Sequence, residues 1–371
     1  MPDSRYTLES VSRACEILQL FDDGRQALSL TEIVKRTGLE QTICFRLLRT
    51  LEERGLLRRG ERRKYASNVR ILSGKRFRIG YAAQNQSWFC VSLAQGLRWA
   101  AAEWPIDIIE MDNKYSAKTA LRNAEQLVSQ HIDLAIEFQT YERIGGKLSR
   151  IFEKAGVPLV AIDIPHPNAA FLGVDNQRAG AAAGRALVKA TQKQWGGKCE
   201  EILFLDLAIA GSLPHVRISS AQNVLRGSLS CECAFVHLDS RGEFLRGFEL
   251  TRRHLRKVSP RRTLLTGIND EAVLGALRAF EEVGRSNLCI AVGHGGGPEA
   301  RRELRLPHSR LAATVAYFPE RYGESLVRLA LDILNKRATP PAVYIPVQVL
   351  TSKNVDEFYP QDHFANSAEG E

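Results

Sequence analysis

Arg78-Ile79-Gly80-Tyr81-Ala82-Ala83 is the stretch on which the fold turns. It reads as a buried strand, and a helical pattern follows it from Phe89 to Glu103. Ile106-Asp107-Ile108-Ile109-Glu110 is a second strand, followed by a helix from Ala117 to Gln130. Leu134-Ala135-Ile136 is a third strand, the segment from Gly146 to Ala155 is helical, and Leu159-Val160-Ala161-Ile162 is strand again. Strands alternating with helices at this spacing imply an α/β domain, a parallel sheet covered on both faces.

Outward from there the alternation resumes at Glu201 to Leu205, Phe235 to Leu238, Leu264 to Gly267, Cys289 to Val292 and Ala312 to Ala316. Two such sheets fit into the large domain, residues 77–355. Ligands on sheets of this kind sit at the carboxyl ends of the strands. Those ends offer Ser87-Trp88-Phe89, Asp163, Asp175-Asn176, Arg217, Asn269-Asp270 and Tyr317. Carboxylates and amides around a stacking aromatic ring suit a polyhydroxylated ligand. The candidate ligand residues are therefore Ser87, Trp88, Phe89, Asp163, Asp175, Arg217, Asp270 and Tyr317. Asp175-Asn176 also reads as a simple helix cap, and Trp88 as core.

Several separated motifs in this region resemble one family. Gly173-Val174-Asp175-Asn176-Gln177-Arg178-Ala179-Gly180 is similar to the strand-to-helix stretch before the interlobe crossover of the ribose-binding, type I periplasmic binding protein superfamily. Gly267-Ile268-Asn269-Asp270-Glu271-Ala272 resembles its second-lobe ligand loop, and Ala155-Gly156-Val157-Pro158-Leu159-Val160 leads to Asp163 as in that family. The resemblance implies two lobes closing on a ligand, with Phe89, Asp163, Arg217, Asp270 and Tyr317 at contact positions. Ile164, the His294-Gly295-Gly296-Gly297 run and Tyr317 depart from the pattern of the sugar binders, which points to a pocket less polar than a ribose site.

The first seventy residues read as three helices and a hairpin. Val11, Ala14, Ile17, Leu18 and Phe21 make one apolar stripe. Ser29 with Glu32 three residues on is a capping box, and Gly38 ends that second helix. In the third helix Cys44, Leu47, Leu48 and Leu51 turn inward and Gly55 is the stop. Two short strands around a charged tip then make a wing. A helix, a turn and a second helix form the unit that lays its second helix in the major groove. Gln41, Thr42, Phe45, Arg46 and Arg49 face outward on that helix, as base-edge readout requires, and Arg62, Arg63 and Lys64 suit phosphate contacts. Leu28 to Leu39 and Arg46 to Leu56 resemble the IclR-type winged helix-turn-helix; Ile43 and Phe45 depart from it, so no operator sequence carries over.

Charge agrees with this division. The net charge is +9, and residues 1–76 hold 16 Lys and Arg against 10 Asp and Glu, while the rest of the chain is nearly neutral. A basic segment on a neutral body suits a polyanion partner. Seven cysteines, an odd number, lie mostly in apolar runs, and Cys231 and Cys233 lack a usual zinc or redox spacing, so reduced thiols in a cytoplasmic protein are expected. No run reaches the ~18–20 apolar residues of a membrane span. The eight histidines show no metal spacing, and neither a metal nor a cofactor is expected. The Gly293 to Gly297 run brings with it no serine nucleophile elbow or phosphate-loop lysine, so no enzyme is expected.

The expected layout is a winged helix-turn-helix at 1–69, a linker at 70–76, the two-lobed domain at 77–355 and a polar tail at 356–371. An IclR-type reader on a LacI-type sensor implies a homodimer on operator DNA, controlled by a sugar or polyol effector. The other reading is a sugar-binding adaptor whose N-terminal module contacts protein.

Overall fold

The computed structural model describes residues 8–21, 27–60, 63–67, 76–229 and 232–362. These fall into two compact units, one of residues 1–77 with 104–106 and one of the remainder. Most of the linker expected at 70–76 and the Arg62 position lie outside the described residues.

The first unit contains α1 (Glu9–Gln19), α2 (Leu30–Thr37), α3 (Gln41–Glu53) and the antiparallel strands β1 (Leu57–Arg59) and β2 (Tyr65–Ser67). Local chemistry sets its boundaries. The Ser29 side chain accepts the Glu32 N–H while the Glu32 carboxylate takes the Ser29 N–H, and Gly38 closes α2 at φ 70°. Paired backbone hydrogen bonds between Leu28 and Tyr65 tie the wing to the start of α2. Ile17, Phe21, Ile33, Cys44, Leu48 and Leu57 fill the core. The stripe expected from Val11 starts at Ala14, which is half-buried against the core, while Val11 is 54% exposed because the small core does not reach the first turn of α1.

The second unit holds two six-stranded sheets. One is ordered β13-β7-β6-β5-β3-β4 and the other β14-β12-β11-β10-β8-β9. The first lobe is built from β3 (Phe77–Ala83), α4 (Trp88–Ala102), β4 (Ile106–Asp112), α5 (Ala117–Ser129), β5 (Leu134–Glu137), α6 (Gly145–Lys154), β6 (Leu159–Ile162) and β7 (Ala170–Val174). After β7 the chain crosses to the second lobe: α7 (Asn176–Trp195), β8 (Glu201–Asp206), α8 (Ser212–Ser228), β9 (Ala234–Asp239), α9 (Phe244–Lys257), β10 (Thr263–Gly267), α10 (Asp270–Glu282), β11 (Cys289–Gly295), α11 (Pro298–Arg305) and β12 (Leu311–Ala316). Next α12 (Tyr322–Leu334) returns to pack on α4, and β13 (Ala342–Ile345) joins the first sheet beside β7. β14 (Gln348–Leu350) runs antiparallel to β12 in the second sheet, and α13 (Val355–Phe358) follows.

The expected alternation is thus present, with parallel pairing throughout β8–β12 and from β3 through β5, β6 and β7 to β13. The chain passes between lobes after β7, after β12 and between β13 and β14, which sets the carboxyl ends of the two sheets across one cleft. Gly180 makes the second lobe's geometry possible: a Cβ there would lie 2.0 Å from the Arg217 carbonyl, so α7 and α8 touch backbone to backbone. That contact delivers Arg217 to the cleft.

The polar tail does not begin at 356. Tyr359 is buried and stacks on Phe318, and Asp362 takes the Arg301 guanidinium at 2.7 and 2.9 Å. Polar composition misled there because the charged residue is half of a long-range pair. Among the described residues no helix is long and apolar enough to cross a membrane.

Candidate functional site

The cleft between the lobes has a volume of about 440 Å³, within the usual range for a small-molecule site. The first lobe presents Gln84, Asn85, Ser87, Trp88, Phe89, Tyr115, Phe138, Thr140, Asp163 and Ile164, all following strand ends. The second presents Leu207, Pro214, Arg217, Glu243, Asn269, Asp270, His294 and Tyr317 among others. Both lips touch: the Tyr115 hydroxyl donates to the Arg241 carbonyl at 3.2 Å, and Glu142 lies against Gly211.

Asp163 sits just after β6 with φ 56°, a left-handed conformation that aspartate tolerates better than most residues. Its Oδ1 accepts the Val174 N–H at 3.0 Å. A side chain on Gly173 would collide with that oxygen, so the glycine in the Gly-Val-Asp-Asn motif makes room for Asp163. Burial pushes the Asp163 carboxyl up, opposed by the Val174 hydrogen bond and the Arg217 charge.

Arg217 is held from two sides. Its Nε and Nη2 donate to the Asn176 Oδ1 at 3.0 and 2.8 Å, and its Nη1 donates to the Ile268 carbonyl. The guanidinium lies 4.9 Å from the Tyr317 ring centroid, a cation–π contact. The Tyr317 hydroxyl meets His294 Nδ1 at 2.8 Å. Burial, with the Arg217 charge, holds the imidazole well below its ordinary range, so it is neutral. His294 Nε2 is buried without a hydrogen-bond partner among the described residues and belongs to the wall of the cleft; either tautomer leaves it one hydrogen bond to make.

Asp270 uses both of its oxygens. Its Oδ1 accepts the Thr314 hydroxyl at 2.6 Å, and its Oδ2 accepts the N–H groups of Gly296 and Gly297 at 2.7 and 2.9 Å. Burial raises its carboxyl, opposed first by the Thr314 bond and then by the two glycine bonds. The glycine run after β11 therefore spends these two N–H groups on Asp270 and does not present them as an open oxyanion pair. Arg301 steadies that run by donating to the Gly296 carbonyl at 2.7 Å, and is itself held by Asp362.

The walls are mostly apolar. Phe89 packs edge-on against Trp88, Phe138 and Tyr322. Phe138 and Ile164 of one lobe, with Leu207, Ala210 and Pro214 of the other, add apolar lining to the ring of polar groups. Behind Phe138 the Glu137 carboxyl is wholly buried and pushed up to about 8 by desolvation, opposed by the Asn113 amide.

Of the eight expected ligand residues, Ser87, Trp88, Phe89, Asp163, Arg217, Asp270 and Tyr317 line the cleft. Asp175 does not. It is the N-cap of α7, accepting the Arg178 N–H at 3.0 Å and pairing with the Arg178 side chain at 3.2 Å. The residue that serves the cleft is its neighbour Asn176, through Arg217. Tyr115, Phe138, Thr140, Leu207 and Glu243 were missed; each follows a strand end, and scanning every such end would have found them.

In the first unit Gln41, Thr42, Phe45, Arg46 and Arg49 are all exposed on one helix, as expected for a face free to meet a partner. Arg49 leans on Glu53 at 3.4 Å, Arg63 is exposed, and Lys64 is 3.9 Å from Glu32. These exposed pairs are weak and can be exchanged for phosphates.

Comparison with known proteins divides the chain in the same way. A family described as periplasmic binding protein domain matches residues 79–338, and the IclR helix-turn-helix domain matches residues 10–61. The ribose import binding protein RbsB of Bacillus subtilis (strain 168) is 25% identical over 284 residues, 75% of this chain and 88% of that protein. The HTH-type transcriptional regulator XynR of Escherichia coli (strain K12) is 24% identical over 155 residues, 42% of this chain and 56% of that protein. Among solved structures, a solute binding protein from Bacillus halodurans C-125 with bound myo-inositol aligns with TM-score 0.68 at 18% identity, covering 78% of this chain and 100% of that one. One from Actinobacillus succinogenes 130z with bound D-allose aligns with TM-score 0.67 at 18% identity, covering 76% and 100%.

Proposed function

The chain belongs to the periplasmic binding protein domain family, and from that premise we propose that it is a transcriptional regulator whose operator binding is set by a small polyhydroxylated effector. The observation that carries this reading is the pairing, in one polypeptide, of an IclR helix-turn-helix with an interlobe cleft that holds buried carboxylates, an arginine and aromatic rings. Asp163, Arg217, Asp270 and Tyr317 supply the polar ring that hydroxyl groups require, and Trp88 and Phe89 the faces on which a sugar ring lies. Phe138, Ile164 and Leu207 favour an effector with an apolar edge, a deoxy or alkyl-substituted sugar over a fully hydroxylated one.

On this reading Gln41, Thr42, Phe45, Arg46 and Arg49 read base edges, while Arg62, Arg63 and Lys64 hold phosphates. The protein acts as a dimer of LacI-like logic, in which effector binding and operator binding are coupled by ~1–3 kcal/mol.

The test is fluorescence-anisotropy titration of DNA upstream of the protein's own gene across a salt series. Sequence-selective binding with a steep salt slope is expected, weakened at least about tenfold by Arg46→Ala with Arg49→Ala while effector binding persists. Weak binding that is equal on random DNA would overturn the operator reading and favour an N-terminal module that contacts protein.

A further inference from the structure

Cys199 and Cys233 bring their sulfurs within 2.6 Å of each other, across the start of two neighbouring strands. Cys199 lies just before β8 and Cys233 just before β9, and the parallel register of those strands, Glu201 opposite Ala234, fixes their separation. The Ala234 N–H donates to the Glu200 carbonyl at 2.9 Å, so the backbone between them is pinned. Cys199 is 4% exposed and belongs to the second lobe's buried core, whereas Cys233 is half-buried at the edge of that core.

We propose that Cys199 and Cys233 form a reversible thiol–disulfide site, oxidised by hydrogen peroxide and returned by dithiols. A disulfide needs its sulfurs at about 2.04 Å, so a closure of roughly half an ångström between pinned strands suffices. The Cys233 thiolate attacks one peroxide oxygen and becomes a sulfenic acid with loss of hydroxide. The Cys199 thiolate then displaces that oxygen as water, so two thiols and one peroxide become one disulfide and two waters. Cys233 is the group oxidised first because it is the more exposed, and Cys199 resolves it from within the core.

The bond closes a loop across 34 residues that contains all of α8, the helix that carries Pro214 and Arg217 into the cleft. Closing a loop of that length restrains the unfolded chain. The oxidised form is therefore the more heat-resistant one, with a melting temperature raised on the order of 5 °C. This site stands apart from the regulator reading and does not depend on it.

The experiment treats the full chain with a slight excess of hydrogen peroxide or with dithiothreitol, then denatures, alkylates and maps the peptides by mass spectrometry. Expected are the loss of two alkylatable thiols, a cross-linked peptide joining Cys199 to Cys233, recovery with dithiothreitol and the rise in melting temperature. Cys231→Ser, which alters the neighbouring cysteine, keeps the bond, and Cys233→Ser abolishes it. Both thiols remaining alkylatable, a bond from Cys199 to Cys231, or oxidation of Cys233 only to irreversible acids would each overturn the proposal. Mapping of the unaltered chain decides the matter even where a variant folds poorly.

Discussion

Gly173-Val174-Asp175-Asn176 and Gly267-Ile268-Asn269-Asp270 are two strand-to-helix turns with nearly the same chemistry in swapped order, and they do the same two jobs. In each, the first polar residue caps the helix: Asp175 accepts the Arg178 N–H, and Asn269 accepts the Ala272 N–H at 3.1 Å. In each, the second is buried and serves the cleft: Asn176 holds Arg217, and Asp270 holds the glycine run after β11. Position in the turn decides the role, and residue type decides only how well it is filled. The first lobe's crossover thus spends a neutral amide on a cation, and the second lobe's loop spends a carboxylate on backbone N–H groups.

The largest effect expected from breaking this pattern is at Asp270. Asp270→Ala leaves the Gly297 N–H and the Thr314 hydroxyl without their acceptor and the Gly296 N–H with only its longer 3.3 Å bond to Thr314, which costs about 2–4 kcal/mol of unfolding free energy in a denaturant titration. A loss below about 1 kcal/mol would show that the glycine run re-pairs by itself and that the carboxylate is not its anchor. Asn176→Ala acts next. It removes the acceptor of two Arg217 N–H groups, and effector affinity, read by calorimetry, is expected to fall about tenfold as the guanidinium loses its orientation. Asn176→Asp keeps the acceptor and is expected to stay within about threefold of the unaltered chain. Equal losses for both substitutions would mean that the amide itself touches the ligand.

What the amino-acid sequence made legible follows the same logic of near and far. Ser29, Glu32 and Gly38 bound α2 through contacts three or four residues long, and such contacts are written in neighbouring letters. The runs at β5, β6 and β10 are buried throughout and centred on apolar residues, as strands covered on both faces are. β13 was not read, because its short run between prolines makes sense only against β7, and its Tyr344 is 56% exposed. Arg301 and Asp362 meet across 61 residues, so neither residue announces the other. In the cleft, residues with unusual chemistry such as Asp163 and Arg217 stood out, while Phe138 and Leu207 looked like ordinary core. The choice of Asp175 over Asn176 failed by one residue, since a cap and its neighbour look alike until the helix register is known.

The smallest effect, and the sharpest test of the comparison, is at Asp175. If it is only a cap, Asp175→Ala costs about 1 kcal/mol, the typical loss of an N-cap, and leaves effector affinity unchanged within about twofold. Its exposed pair with Arg178 adds little, since the arginine side chain is 84% exposed. Asp175→Asn, which can still accept the Arg178 N–H, is expected to recover most of that stability. A tenfold loss of affinity without a loss of stability would place Asp175 in the ligand site after all. In that case the two turns would differ in kind, and the rule that position sets the role would hold for the second lobe alone.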